Sequence, residues 1–415
     1  MRYHKWSVFA ALAAAGVPCF AQEPCGAFPA LDVTTPPGFC VALLSREFKF
    51  PRGVLPLANG DLLIADMGGW ASKNGSVWLM KKGEGAYVRQ SLFTKLDRPN
   101  GLAMGPDGRV YVGVVGRIFS FNVKDPAATA RDVVGGTSGV APLPGQGRHA
   151  MTALRFDRHG DLFVNVGSSS DHCESADGSA PLADRKCAEA EGDAALGVIR
   201  KYSMKWPAGT VAKWDVFARG LRNSMAMAFD PVTNELWEAD NARDFINAAM
   251  PTLKNDQELP HDELNLIKPG ANYGWPYCYD GNIAGPEYPG IPCATGYRAP
   301  ARLLPAHAAP LGMTFYTASH FPRQYNNSLI IAFHGYRQHG HRLVALLPNK
   351  AGAPLGKMVN LISGWGDKKK QRMGAPVDVK VGPDGNVYMV EDRPGRVIRL
   401  QYDPPMETLL QRQSR

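Results

Sequence analysis

Six stretches of the chain repeat one phrase of apolar and polar positions. Each has a Pro- or Gly-containing start, an alternating apolar run, a tight turn, a second apolar run, and a polar or Gly-rich step into a third. The first copy runs Pro51-Arg52-Gly53-Val54, then Asn59-Gly60, then Asp61 to Asp66 through Leu62, Leu63, Ile64 and Ala65. The second pairs Pro99-Asn100-Gly101-Leu102 with Pro106-Asp107-Gly108 and Val110 to Gly113, and the third pairs Met151 to Leu154 with His159-Gly160 and Leu162 to Asn165. Copies four, five and six begin at Ser224, Leu311 and Pro376 and close on Leu236 to Asp240, Leu329 to Ala332 and Val387 to Val390. Asn-Gly and Asp-Gly between alternating runs signal hairpins, because these residues tolerate positive φ. Strands such as Ser76 to Leu79 and Arg396 to Leu400 extend the hairpins. One small sheet cannot bury both its faces; packing copies radially around an axis does, and leaves only short edges. The expectation is an all-β, six-bladed β-propeller. Residues between Asp244 and Arg302 contain no copy and read as a long functional loop region between blades four and five.

Composition agrees with this. The chain of 415 residues is 45% hydrophobic and 20% charged, which points to neither disorder nor a membrane bundle, and its Gly 44 and Pro 33 suit many turns. Arg2 and Lys5 precede a short apolar run from Trp6 to Gly16, the pattern of a signal peptide over residues 1–21 cleaved after Ala21. Val17-Pro18-Cys19 makes a poor lipoprotein box. A single domain is expected over residues 22–415, in a periplasmic or secreted protein without stable membrane insertion. Apart from Cys19, the cysteines fall as Cys25/Cys40, Cys173/Cys187 and Cys278/Cys293. The similar short intervals suggest three local disulfides, Cys25–Cys40, Cys173–Cys187 and Cys278–Cys293, although six cysteines formally allow 15 pairings. Metal ligation by them is disfavoured, since no C-x-x-C spacing occurs. Net charge is +8, or +6 without Arg2 and Lys5, and it is spread out apart from Lys368-Lys369-Lys370. That run reads as a solvated loop, so no nucleic-acid partner is expected, while an anionic ligand remains compatible.

Several segments, taken in order, resemble the glucose/sorbosone dehydrogenase family of soluble quinoproteins. They are Gly147-Arg148-His149, Gly220-Leu221-Arg222-Asn223, Glu235 to Asn241, Asp262 to Ile267, Asn272-Tyr273-Gly274-Trp275-Pro276, and the Pro-Val-Asp-Val and Pro-Asp-Gly of the sixth copy. The resemblance implies a cofactor, pyrroloquinoline quinone (PQQ), together with Ca²⁺. It also implies oxidation of the hydroxyl of an aldose or hydrated aldehyde, with electrons passing to an external acceptor such as a cytochrome c or a quinone. The residues accommodate that chemistry. No side chain accepts hydride, so a cofactor is needed, and no strand-linked G-x-G-x-x-G suggests a nicotinamide. His149, after a Gly/Pro-rich loop, has the pKa range of a general base; the bland alternative is a histidine hydrogen-bonded in its loop. PQQ is a tricarboxylate, and Arg222 can grip a carboxylate with two parallel hydrogen bonds while Asn223 complements a carbonyl edge. Asn241, Asp262, Arg337 and Arg372 are further cofactor candidates by the same resemblance.

Calcium takes six to eight oxygen ligands, backbone carbonyls included. The turn Asp240-Asn241-Ala242-Arg243-Asp244 resembles the family segment that supplies them, which points to the carbonyls of Ala242 and Arg243. Glu263 and Tyr273 resemble a second, structural calcium site. His307 matches a family histidine at the channel mouth, for substrate contact or for structure. Three departures stand out. Ser224 replaces a usual proline, Ala242 a usual glycine, and His334-Gly335-Tyr336-Arg337-Gln338 differs from the usual blade-five sequence. Two rival functions remain open. One is a metal-dependent propeller lactonase. The other is a catalytically silent propeller that binds carbohydrate or a partner protein.

Overall fold

In the computed structural model, which describes residues 24–179, 186–365 and 374–403, each of the six phrases folds as a hairpin. Every one of those hairpins turns through a residue at positive φ: Gly60, Gly108, Gly160, Asn234, Asn327 and Gly385. Glycine enters that region without steric penalty and asparagine more readily than other side chains, which is why the turn positions were legible. Two further strands complete each sheet, giving six four-stranded antiparallel sheets. The innermost strands are Pro51–Pro56, Leu102–Met104, Leu154–Phe156, Ala226–Phe229, Pro310–Phe315 and Pro376–Val381. Each touches the innermost strand of the next blade, and the last touches the first, so the ring closes as a six-bladed β-propeller.

Period-two alternation builds the core between blades. Leu62 and Ile64 pack with Val377 and Val390 of blade six, while their neighbours Leu63 and Ala65 pack with Leu102 and Val112 of blade two. The same division recurs around the ring, so the buried clusters are the blade-to-blade interfaces. Close approach at the axis explains the small residue near the start of several copies. A Cβ on Gly53 would meet the Asn100 carbonyl oxygen at 2.2 Å, and one on Gly312 would meet that of Val377 at 2.3 Å.

Two features differ from the sequence expectation. The segment between Asp244 and Arg302 is not free of blade strands: Glu263–Ile267 is the third strand of blade four and Arg302–Leu303 the fourth. The pattern concealed them because long connections, not tight turns, lead into both strands. In addition, Phe39–Ser45, outside every copy, forms the outer strand of blade six by pairing antiparallel with Arg396–Tyr402, Phe39 opposite Tyr402.

The three disulfides form as expected, Cys25–Cys40, Cys173–Cys187 and Cys278–Cys293. The last two pack with Tyr277 and Tyr288 and brace the loops of blades three and four against each other. No helix among the described residues is long and apolar enough to cross a membrane. The expected signal peptide and Lys368-Lys369-Lys370 lie outside the described residues.

Candidate functional site

Within each blade the connection into the first strand and the connection between the second and third emerge at the same end, because the strands alternate in direction. His149, Arg222, Asn223, the Asn241–Asp262 segment, His307 and Arg337 all lie on such connections, so the fold gathers them at one end of the axis. His149 and Arg222 are one residue apart in space. The His149 N–H donates to the Ser168 carbonyl at 3.2 Å, and the Ser168 N–H donates to the Arg222 carbonyl at 2.9 Å.

Buried carboxylates latch the loops. Asp240 accepts the N–H groups of Arg222 at 2.8 Å and Asn223 at 2.6 Å. Asn241 donates from Nδ2 to the carbonyls of Asn223 and Pro310. Asp262 accepts the N–H of Ala242 at 2.9 Å and that of Ala309 at 2.6 Å, joining blade four to blade five. Burial pushes Asp262 up to about 7 and raises Asp240 as well.

Arg222, Asn241, Ala242, Asp262 and Arg337 line one cavity of about 280 Å³, together with Asp244, Phe245, His307, His334 and Tyr336. Arg222 is 4% exposed and already engaged: Nε donates to Asp171 at 2.9 Å, Nη2 pairs with the same carboxylate, and Nη1 donates to the Asn241 carbonyl at 3.0 Å. Burial opposes the Asp171 charge, but the neighbouring His172 ring, the Arg222 guanidinium and the Asp244 N–H hold its carboxyl below the usual range. Arg337 grips Asp256 with two hydrogen bonds, at 2.6 and 3.0 Å. The Asp244 carboxylate stands between the two guanidiniums, 3.6 Å from Arg337 and 3.9 Å from Arg222. Asp244, Asp256 and His307 also bring three metal-ligand atoms within 4.8 Å of one another, but Arg337 pairs with both of those carboxylates. Asp171 and Asp256 carried no sequence motif; their partners are 51 and 81 residues away.

His149 borders a neighbouring pocket with Thr152, Asn165 and Gly167 rather than the larger cavity. Its Nδ1 lies 3.1 Å from the Ser168 carbonyl and 2.9 Å from Ser168 Oγ. The carbonyl needs a donor, so Nδ1 carries the hydrogen and Nε2 holds the lone pair. Burial, and then the nearby Arg222 charge, depress its pKa well below the ordinary value of 6.5, so the ring is neutral.

Glu263 and Tyr273 border a second, smaller cavity of about 30 Å³, shared with Asp240, Ala242 and Arg243. That space exceeds the roughly 10–15 Å³ a water needs. Burial, reinforced by the Asp240 charge, raises Glu263 well above a normal carboxyl, and burial raises Glu238 beside it. Glu238 Oε1, Asn265 Oδ1, Ser224 Oγ and Asn223 Oδ1 are buried without a hydrogen-bond partner among the described residues. The carbonyls of Ala242 and Arg243 accept no backbone hydrogen bond from a described residue, and the Arg243 side chain pairs with Glu287 at 2.6 Å. Arg372 lies outside the described residues.

A family model described as glucose/sorbosone dehydrogenase matches residues 140–399. A protein of Borreliella burgdorferi named only as uncharacterized is 25% identical over 386 residues, covering 89% of this chain and 90% of its own. A pyrroloquinoline quinone-dependent sugar dehydrogenase of Hypocrea jecorina is 23% identical over 344 residues, 72% of each chain. The calcium structure of Trichoderma reesei carbohydrate-active enzymes family AA12 superposes with a TM-score of 0.69 at 20% identity, over 92% of this chain and 99% of that one. With the propeller and the gathered loop residues already in place, the match over residues 140–399 settles the family: the chain belongs to the glucose/sorbosone dehydrogenases.

Proposed function

We propose that this chain is an exported PQQ-dependent dehydrogenase that oxidises the hydroxyl of an aldose or hydrated aldehyde and passes the electrons to a separate acceptor. The observation that carries this reading is the meeting at one end of the axis of a neutral imidazole, His149, with guanidiniums that can hold an organic acid. Arg222 and Arg337 converge on the Asp244 carboxylate, an arrangement suited to a ligand carboxylate, with Asn241 and Asp262 completing the pocket and Asn223 held next to Arg222 by Asp240. PQQ would supply the hydride acceptor that no side chain offers. His149 Nε2 would take the hydroxyl proton.

Calcium fits the local chemistry. Glu238, Asp240, Asp262 and Glu263 crowd one region with more acid than Arg222, itself held by Asp171, offsets. The carbonyls of Ala242 and Arg243 would hold one ion, and Glu263 and the Tyr273 carbonyl a second. Export agrees with three disulfides, which persist in oxidising compartments.

One observation favours a silent binding propeller: both guanidiniums already hold carboxylates of this chain. Titrating purified protein with PQQ and Ca²⁺, following absorbance and dye-linked oxidation of a panel of sugars and aldehydes, separates the readings. The dehydrogenase binds PQQ and turns over, and His149→Ala keeps binding while losing about 10²–10⁴-fold in turnover. No turnover on the whole panel leaves the binding propeller, and lactone hydrolysis with metal alone leaves the hydrolase.

A further inference from the structure

Two histidines, His307 and His334, face the larger cavity, and His334 is built differently from His149. His334, 5% exposed, sits on the connection between the second and third strands of blade five. Its Nε2 lies 3.1 and 3.0 Å from the two oxygens of Asp392, which is 0% exposed. Arg52 Nη1 donates to Asp392 Oδ2 at 2.7 Å, and Arg52 Nε donates to Asn100 Oδ1 at 3.3 Å. Residues of blades five, six, one and two thus form one buried chain. Arg52 already neutralises Asp392, so the carboxylate orients the imidazole without requiring it to be charged. Facing a carboxylate, Nε2 carries the hydrogen, which leaves the lone pair on Nδ1. No described residue hydrogen-bonds Nδ1. The other charged or titratable groups around the ring are Arg393 and Tyr336, the latter in edge contact at 4.9 Å.

The reaction proposed above has a second proton to dispose of. Converting CH–OH to C=O releases two electrons and two hydrogens. One hydrogen leaves the hydroxyl as a proton, taken by His149. The other would leave carbon together with the electron pair, the hydride that PQQ would accept when bound. When a one-electron acceptor removes the two electrons in turn, that hydrogen must depart as a proton. We propose that His334, fixed in one tautomer by Asp392, receives this proton at Nδ1 and passes it to solvent. The inference rests on the quinone reading of the cavity.

The test separates the two half-reactions in PQQ- and Ca²⁺-loaded protein by stopped-flow absorbance, with a sugar as reductant and ferricenium as one-electron oxidant. His334 lines the cavity, so any change in PQQ affinity or in the rate of reduction by sugar in His334→Gln is measured first, as the reference for the second half-reaction. Reoxidation should slow at least tenfold and recover in part with added imidazole; His149→Ala should show the reverse. Asp392→Asn should shift the pH dependence of reoxidation alone. Without any cofactor, ¹⁵N spectra should show the His334 ring protonated at Nε2. Unchanged reoxidation in His334→Gln, an equal loss in both half-reactions, or an Nδ1-protonated ring overturns the assignment and leaves the dehydrogenase reading standing. Wild-type protein that no sugar reduces removes both. If His334→Gln does not fold, the same decision falls to His334→Asn and to the Asp392→Asn pH profile.

Discussion

The Arg222 guanidinium is held by Asp171, a carboxylate that reaches it from the blade-three loop at 2.9 Å while both side chains are almost fully buried. Removing one partner of such a pair strands a charge, which costs about 3–5 kcal/mol. Asp171→Ala should therefore lose stability of that order in urea unfolding. A loss under about 1 kcal/mol would mean that water reaches this guanidinium in solution.

Asp256 occupies Arg337 with the two parallel hydrogen bonds a ligand carboxylate would make. Asp256→Asn should weaken that internal pair and tighten binding of PQQ about tenfold, or about 1.4 kcal/mol. Fluorescence titration reads the change. Unaltered affinity would remove Arg337 from the set of anion anchors.

His149 is depressed below 6.5 by burial and by Arg222. Turnover should therefore hold steady as pH falls through 6.5, with its acid limb lower. Stability carries the opposite cost. Below 6.5 the unfolded chain binds a proton that the folded ring refuses, so stability falls as pH drops through that region. His149→Gln lacks this component. Its unfolding free energy relative to wild type should rise on going from pH 7 to pH 5, a comparison denaturant titrations supply directly.

A methyl group on Gly312 would run into the Val377 carbonyl at 2.3 Å, whereas one on Gly281 meets nothing within 4 Å. Gly312→Ala should destabilise by about 1–3 kcal/mol through overpacking and Gly281→Ala by far less. Equal melting temperatures for the two variants would contradict the tight axial approach of blades five and six.

The blades were legible because their signals are local: each hairpin needs a positive-φ turn residue and period-two alternation, and both are written within about a dozen residues. The third strand of blade four escaped because a long connection after Asp240, not a tight turn, leads into it, although Glu263 to Leu266 keep the alternation. The disulfides were suggested by their similar short intervals, while the spacing left the pairing itself open. Charge compensation was not. Arg52 meets Asp392 across 340 residues, and nothing in either neighbourhood announces the other. His334 stood in a segment noted for its departures, yet its carboxylate partner emerges only when the ring closes. The placement of His149 beside Arg222 follows from the fold once strand direction is known, whereas the acids already paired with both guanidiniums do not.

Phe39–Ser45 supplies the outer strand of the sheet whose other three strands come from residues 376–402, and Cys25–Cys40 fastens that strand to the segment before it. The sixth sheet is therefore shared between the earliest and latest described parts of the polypeptide. It cannot be completed until residue 402 has been made, so the channel end that carries the candidate site stays unfinished until then. Clipping the leading strand would leave Arg396–Tyr402 as a bare, pairing-competent rim, open to strand exchange with another copy.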